Sequence, residues 1–228
     1  MESNMKGLVE HCKAFLFDWD GTLVDSVPIK ISNAAELFAR LFGADRGEVK
    51  TSYADHSGIP RRDLFNLIAS DCIGRRLTDP EFDGVSDEFT ALNRERIATS
   101  ATLRSGAIEA LARLKEQGRL IFISTATTQD EIDPLAAGFG VATFCTEILG
   151  SRPGFTKGPV HAAHVVSRYR VQKHEMAGIG DDEHDMCLFS EAGITAIGIT
   201  GTRNRSRLEA AGADLVIENL NEIVPGVV

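Results

Sequence analysis

From residue 107 onward the chain alternates between short apolar runs and amphipathic stretches. Continuous apolar runs of this length are typical of strands buried on both faces, and the stretches between them have helical spacing. The predicted elements are helix 107–117, strand 120–123, helix 132–139, strand 142–146, helix 160–168, strand 176–179, helix 185–192, strand 195–199, helix 205–211 and strand 214–217. Alternation with short connections predicts a parallel sheet covered by helices on both faces.

A block with only helical spacing interrupts this pattern near the N-terminus. One more apolar run, at 14–17, is predicted to be a buried strand of the same sheet. After it, the helical stretches are 29–42, 61–72 and 82–98. We therefore predict an α/β fold, with a Rossmann-like doubly wound parallel sheet core made of residues 1–26 and 101–228. Residues 27–100 are predicted to form an inserted all-helical domain.

The acidic composition narrows the class of partner. The 228 residues include 24 Lys and Arg against 33 Asp and Glu, so the formal net charge is -9. Nucleic-acid binders usually present a basic face, so we predict no nucleic-acid partner. No run approaches the roughly 18 apolar residues of a membrane helix, so we predict no membrane partner. Four widely spaced cysteines without a C-x-x-C pair favour a reducing, cytoplasmic compartment.

Acidic residues follow two of the predicted strands. Asp18 and Asp20 come directly after the first strand, and Asp181 and Asp185 follow the strand that ends at residue 179. Ligands of parallel α/β sheets bind at the carboxyl ends of the strands, so we expect these side chains to lie close together. Several carboxylates at one edge repel each other and require a cation, and oxygen ligands favour Mg²⁺.

The same edge is predicted to carry hydroxyl groups and an amine. Ser124 and Thr125 follow the strand 120–123, and Lys157 precedes the helix 160–168. One carboxylate can attack phosphorus, and a second can protonate the leaving oxygen and later activate water. A hydroxyl and a lysine can hold the phosphoryl oxygens and balance their charge. These residue types together indicate phosphoryl transfer.

The sequence around the acids also resembles a known family. The string D-W-D-G-T-L-V-D-S at residues 18–26 matches the first signature of haloacid dehalogenase-like phosphatases, D-x-D-G-T-L-x-D-S. The apolar strand that ends in Ser-Thr, the lysine at 157 and the string G-D-D-E-H-D at 180–185 resemble the later signatures, in the same order. The inserted helical block resembles the cap domain of the phosphoglycolate phosphatase and β-phosphoglucomutase subgroup.

The resemblance implies roles for five acids. Asp18 would be the nucleophile and a metal ligand, and Asp20 the acid/base, with its backbone carbonyl on the metal. Asp181 would be the third protein ligand of a Mg²⁺ ion. Asp185 would orient water or the lysine from outside the metal's ligand set. Asp182 occupies a position where a small residue is frequent and can compete for the metal.

The resemblance also implies the groups that hold the phosphoryl oxygens. Ser124 would donate to them and Lys157 would neutralise them, with Thr125, Gly21 and Thr22 as further substrate contacts. The common K-P pair is absent from the sequence. Arg152, which is followed by a proline, is therefore an alternative cation, although the spacing favours Lys157.

In the cap segment, Arg61 is predicted to contact a polar or anionic part of the substrate.

His161 and His164 lie three residues apart on a predicted helix, where a surface or packing role is favoured because no third metal ligand is evident.

The implied activity is Mg²⁺-dependent hydrolysis of a small phosphorylated metabolite by a monomer or homodimer. Two alternatives stay open at this point. A phosphomutase would use the same catalytic residues, and a binding protein on the same scaffold would have negligible turnover.

Overall fold

The computed structural model describes residues 9–224, so the parts of the predicted core at 1–8 and 225–228 lie outside the described residues. The chain forms two compact units. One contains the segment up to Asp25 and the segment from Leu103 onward, and the other is Ser26–Thr102. Over residues 9–224, no helix combines the length and the apolar character that a membrane crossing requires.

The larger unit is built on a six-stranded sheet in which all neighbouring strands run parallel. The strands are β1 (Ala14–Phe17), β2 (Leu120–Thr128), β3 (Glu147–Ser151), β4 (Met176–Gly180), β5 (Thr195–Ile199) and β6 (Leu215–Ile217). Their order across the sheet is β3-β2-β1-β4-β5-β6. This arrangement confirms the predicted Rossmann-like α/β class.

The helices are numbered along the described part of the chain. The smaller unit contains α1 (Val27–Phe42), α2 (Arg46–Asp55), α3 (Arg61–Ile73) and α4 (Asp79–Ser100). The larger unit contains α5 (Ala107–Glu116), α6 (Gln129–Gly138), α7 (Pro159–Tyr169), α8 (Glu183–Ala192) and α9 (Arg205–Ala210). Single turns of 3-10 helix lie at Val141–Thr143, Lys173–Glu175 and Leu220–Ile223.

Apolar side chains of the central strands and of the helices that cover them form the hydrophobic core of the larger unit. All four residues of β1 are buried, as expected for a strand with helices on both faces. Leu16 and Phe122 share one core cluster with Val165 of α7 and Phe189 of α8. Burial of such side chains contributes about 1.5–3 kcal/mol each. The central strands therefore hold the carboxyl-terminal edge of the sheet in a rigid setting.

The helical unit has its own aromatic core. Phe65 of α3 makes edge-to-face contacts with Phe38 of α1 and Phe89 of α4, with ring centroids 5.6 and 5.1 Å apart. Its helix boundaries follow local capping. Asp45 accepts hydrogen bonds from the first-turn amides of α2, and Gly43 adopts the left-handed conformation that ends α1.

The predicted strand at 142–146 is wrong. Residues 141–143 form a 3-10 turn, in which the Phe144 amide donates to the Val141 carbonyl at 3.0 Å. The strand begins only at Glu147. Gly140, in the left-handed conformation, precedes this turn. The apolar residues that suggested a strand therefore lie in and after a turn. β2 is also longer than the predicted strand 120–123, because it continues to Thr128.

Candidate active site

The turn after β1 is shaped by backbone hydrogen bonds and one glycine. The Asp18 amide donates to the Ile179 carbonyl of β4 at 2.8 Å, so Asp18 continues the parallel ladder. Beyond it, the Gly21 amide donates to the Val24 carbonyl at 2.7 Å. Gly21 has a φ of 78°, in the region that favours glycine. This local geometry places the Asp18 carboxylate at the edge of the sheet.

The end of β4 brings a second group of acids to the same edge. Thr22 donates its hydroxyl to Asp181 Oδ1 at 3.1 Å, which ties the two strand ends together. The Asp181 amide donates to Asp185 Oδ2 at 3.1 Å. Asp182 is the N-cap of α8, and its Oδ1 accepts from the Asp185 amide at 3.0 Å. In this structure Asp182 therefore stabilises the start of a helix.

Three carboxylates converge in the interior of this edge. Asp18, Asp181 and Asp185 each offer an oxygen, and these three oxygens lie within 4.8 Å of one another. The residues are only 6%, 3% and 1% exposed. The sequence-based prediction that the strand ends gather these side chains agrees with the geometry.

Lys157 lies inside the carboxylate cluster. Its Nζ is 2.7 Å from Asp18 Oδ1 and also forms an ion pair with Asp185 Oδ1. Arg152, the alternative cation, is exposed, with its guanidinium over the Phe155 ring and bonded to Gln129. The structure thus brings Lys157, and not Arg152, to the Asp18 carboxylate.

The charges of the cluster are strongly coupled. Burial, together with repulsion from Asp185 and Asp20, raises the pKa of Asp18 to about 8, although Lys157 opposes this. Burial and Asp185 likewise raise the pKa of Asp181 well above its ordinary value. Burial disfavours charge on Lys157, but Asp18 and Asp185 outweigh it, so the pKa of its amine is raised. One lysine is therefore too little positive charge to hold these acids ionised.

The donor set fits a hard divalent cation. The converging groups are carboxylate oxygens, which are the ligands that Mg²⁺ prefers in proteins. Their mutual repulsion would be relieved by a cation between Asp18 and Asp181. The residues present are thus compatible with the Mg²⁺ site that the sequence predicts.

Asp20 has a hydrogen-bond partner that the sequence did not reveal. Thr127 of β2 donates its hydroxyl to Asp20 Oδ2 at 2.8 Å. The two residues are 107 positions apart, and the prediction ended the strand at residue 123. The repeated threonines after that point were the only available signal. Asp20 is half-buried, while Thr127 is buried.

The Ser124 hydroxyl has a polar partner in the interior of the protein. Its hydroxyl lies 3.0 Å from Nδ1 of His161 on α7, and both side chains are fully buried. The role of Ser124 as a phosphoryl donor stays a prediction. The neighbouring Thr125 is also buried, and its Oγ1 accepts the Thr127 amide at 3.1 Å. His161 is thus buried in the core, and its contact with Ser124 was not expected from the sequence.

His161 should make the protein sensitive to acid. Burial, assisted by the charge of Lys157, lowers its pKa from 6.5 to about 3, so it is neutral when folded. As pH falls, the imidazole is protonated in the unfolded chain at a higher pH than in the folded protein. Stability is therefore lost as pH falls from 6.5 towards 3. In His161→Asn, we expect the drop in unfolding free energy between pH 7 and pH 5 to be smaller by about 2 kcal/mol. Urea unfolding at both pH values measures it.

The matched control for this prediction is His174→Asn, which replaces an exposed histidine. Its drop between the two pH values should equal that of the wild type. An unchanged drop in His161→Asn would contradict the assignment of a neutral, buried imidazole.

Gly21 has a steric role next to Asp181. A Cβ at this position would lie 2.7 Å from Asp181 Cγ and 2.8 Å from Thr202 Oγ1. We therefore expect Gly21→Ala to displace the Asp181 carboxylate and to weaken Mg²⁺ binding at least about tenfold, which is about 1.4 kcal/mol. Calorimetric titration measures the affinity.

Gly118→Ala is the matched control for Gly21→Ala. Gly118 has a φ of 72°, and a Cβ there would meet no atom within 4 Å. This variant should carry the same left-handed strain, about 1–2 kcal/mol, and bind Mg²⁺ like the wild type. Equal Mg²⁺ affinity in both variants would exclude a steric role for Gly21.

Arg61 belongs to the helical unit. Its guanidinium donates to Thr90 Oγ1 at 2.7 Å and lies 5.1 Å from the Phe89 ring centroid, so it joins α3 to α4. Its contact with a substrate stays a prediction.

The chain is similar in sequence to proteins of one known family. A sequence profile of the haloacid dehalogenase-like hydrolases matches residues 12–193. A phosphoglycolate phosphatase of Chromobacterium violaceum is 29% identical over 232 residues, covering 94% of this chain and 96% of the relative. That of Mannheimia succiniciproducens is 26% identical over 189 residues, covering 81% and 84%.

Solved structures share the fold. A structure described as a predicted phosphoglycolate phosphatase from Haemophilus somnus has a TM-score of 0.79 and 20% identity, and covers 93% of this chain and 96% of that chain. A candidate β-phosphoglucomutase from Bacteroides vulgatus has a TM-score of 0.77 at 19% identity, covering 97% and 94%. The chain belongs to the haloacid dehalogenase-like hydrolases and is an enzyme of the phosphatase class.

Proposed function

We propose that the protein hydrolyses the phosphate monoester of a small metabolite, with Mg²⁺ as cofactor and with an aspartyl-phosphate intermediate on Asp18. The observation that carries the proposal is the buried cluster of Asp18, Asp181 and Asp185, with the Lys157 amine 2.7 Å from Asp18 Oδ1. A nucleophile, a cation and a set of oxygen ligands thus occupy one edge of the sheet, and this combination suits phosphoryl transfer.

In the first step, an Asp18 carboxylate oxygen attacks phosphorus and the bond from phosphorus to the leaving oxygen breaks. Asp20 gives its proton to that oxygen, which leaves as an alcohol. Lys157 holds its positive charge at the Asp18 oxygen and faces the phosphoryl oxygens as charge builds on them. The product of this step is an acyl phosphate on Asp18.

In the second step, water attacks the phosphorus of the acyl phosphate. Asp20, now ionised, takes a proton from this water, and the bond to Asp18 breaks. Inorganic phosphate is released, and both aspartates return to their starting states. Asp185 stays paired with Lys157 and keeps the amine oriented during both steps.

Mg²⁺, bound by Asp18, Asp181 and the backbone carbonyl of Asp20, would supply the additional positive charge that this site requires. We place the enzyme in the cytoplasm. The four cysteines support this, because none of them forms a disulfide in the described structure. The segment 27–100 is proposed to act as the cap that recognises the substrate.

A panel of phosphoesters tests the proposal. The purified protein is incubated with phosphoglycolate, sugar phosphates and nucleoside monophosphates in Mg²⁺, and free phosphate is measured. We expect release from at least one ester, and its loss when a chelator removes the metal. Conversion of a sugar 1-phosphate into an isomer without free phosphate would indicate a phosphomutase instead. No turnover of any ester with Mg²⁺ present would favour a binding protein.

A further inference from the structure

The second half of β2 leaves the regular ladder and turns a hydroxyl towards the acid/base. β2 pairs with β3 through Ser124, and the register then shifts before it resumes at Thr128 and Ser151. Within this irregularity, the Thr127 amide donates to Thr125 Oγ1 at 3.1 Å. Irregularities of this kind often re-aim a side chain beside an active site.

The side chain that this irregularity turns towards Asp20 is that of Thr127. Its hydroxyl donates to Asp20 Oδ2 at 2.8 Å, a normal distance for a hydrogen bond to a carboxylate. Thr127 is 4% exposed, so solvent competes poorly for this contact. As a β-branched residue within a strand, it has few accessible χ1 rotamers. The hydroxyl therefore presents a fixed donor to one oxygen of Asp20.

We propose that Thr127 is a positioning residue for proton transfer by Asp20, an inference that rests on the proposed phosphatase reaction. Its hydroxyl can donate to Oδ2 whether or not the other oxygen of Asp20 carries the proton. It can thus hold the same rotamer while Asp20 acts first as an acid and then as a base. This positioning should affect the rate most for esters whose leaving oxygen must receive a proton.

The dependence on the leaving group provides the test. Phosphoglycolate and sugar phosphates release alkoxides, which need a proton from Asp20. p-Nitrophenyl phosphate releases a weakly basic phenolate, which leaves without one. In Thr127→Val, we expect kcat/KM for the alkyl ester that the wild type turns over fastest to fall by about 10- to 100-fold, and kcat/KM for p-nitrophenyl phosphate to change by less than about threefold. This parameter covers the steps up to departure of the leaving group. The later hydrolysis of the acyl phosphate, which is common to both esters and also uses Asp20, does not enter it.

The ratio of the two rates is the decisive quantity, because it does not depend on the fraction of folded enzyme. Thr127→Ser keeps the hydroxyl and should restore the ratio. Thr127→Ala is a second variant without it, in case the valine packs poorly. Thr128→Val is the matched control, since its Oγ1 is buried without a hydrogen-bond partner in the described structure. It should leave the ratio unchanged.

Three results overturn the inference. Equal losses for both esters in Thr127→Val would mean that Thr127 has a purely structural role. No loss for either ester would mean that its hydrogen bond to Asp20 is not used. If the wild type hydrolyses neither ester, the proposed function fails and the inference fails with it.

Discussion

Asp18→Asn is expected to lower kcat at least about 10⁴-fold, the scale found when a catalytic nucleophile is removed. The amide has nearly the same shape as the carboxylate but cannot form an acyl phosphate. The loss should be chemical and not structural. Burial and neighbouring acids raise the pKa of Asp18 to about 8, so its ionised form is unfavourable in the metal-free fold at neutral pH. The variant should therefore unfold at the same or a higher urea concentration.

The control is Asp133→Asn, which changes an exposed acid of α6. Its turnover should match that of the wild type. The comparison uses initial rates of phosphate release in saturating Mg²⁺. A near-wild-type rate in Asp18→Asn would refute the nucleophile assignment.

Lys157→Met is expected to reduce kcat/KM about 10²- to 10³-fold, a loss typical of removing one group that stabilises transition-state charge. It should also destabilise the metal-free protein, because removing one partner of a buried ion pair costs about 3–5 kcal/mol. This cost depends on pH. Without the amine, the pKa of Asp18 rises further above its already raised value, and stability is lost as pH rises from the ordinary pKa of an aspartate towards this raised pKa. The destabilisation should thus be larger at pH 8 than at pH 5.

Urea unfolding at the two pH values, with a chelator present, measures this dependence. Lys173→Met changes an exposed lysine and should show no difference from the wild type at either pH. An equal cost for Lys157→Met at pH 5 and pH 8 would contradict the coupling of the amine to the buried carboxylates.

The sheet and the position of the acids were predictable because they depend on local patterns. Buried apolar runs identified β1, β4 and β5, and parallel strands must end at the same edge. Acids that directly follow two such strands therefore meet in space. The chemistry of the predicted site needed only this rule and the residue types.

The partners of the acids were not predictable in the same way. The contact of Thr127 with Asp20 depends on a register shift in β2, which has no local signature. The pairing of Ser124 with His161 depends on how α7 lies on the sheet. Such contacts join residues far apart in sequence, and only their packing determines them. The prediction of a strand at 142–146 was wrong for a related reason, since apolar content alone does not distinguish a strand from a half-buried turn.

The most direct test is a crystal structure of the protein with Mn²⁺ in place of Mg²⁺ and with beryllium fluoride. We expect one anomalous peak within ligand distance of Asp18, Asp181 and the Asp20 carbonyl. The beryllium should be bonded to an Asp18 carboxylate oxygen, with the Lys157 amine against its fluorides. A metal bound elsewhere, or beryllium fluoride absent from Asp18 at saturating concentration, would contradict the proposed site.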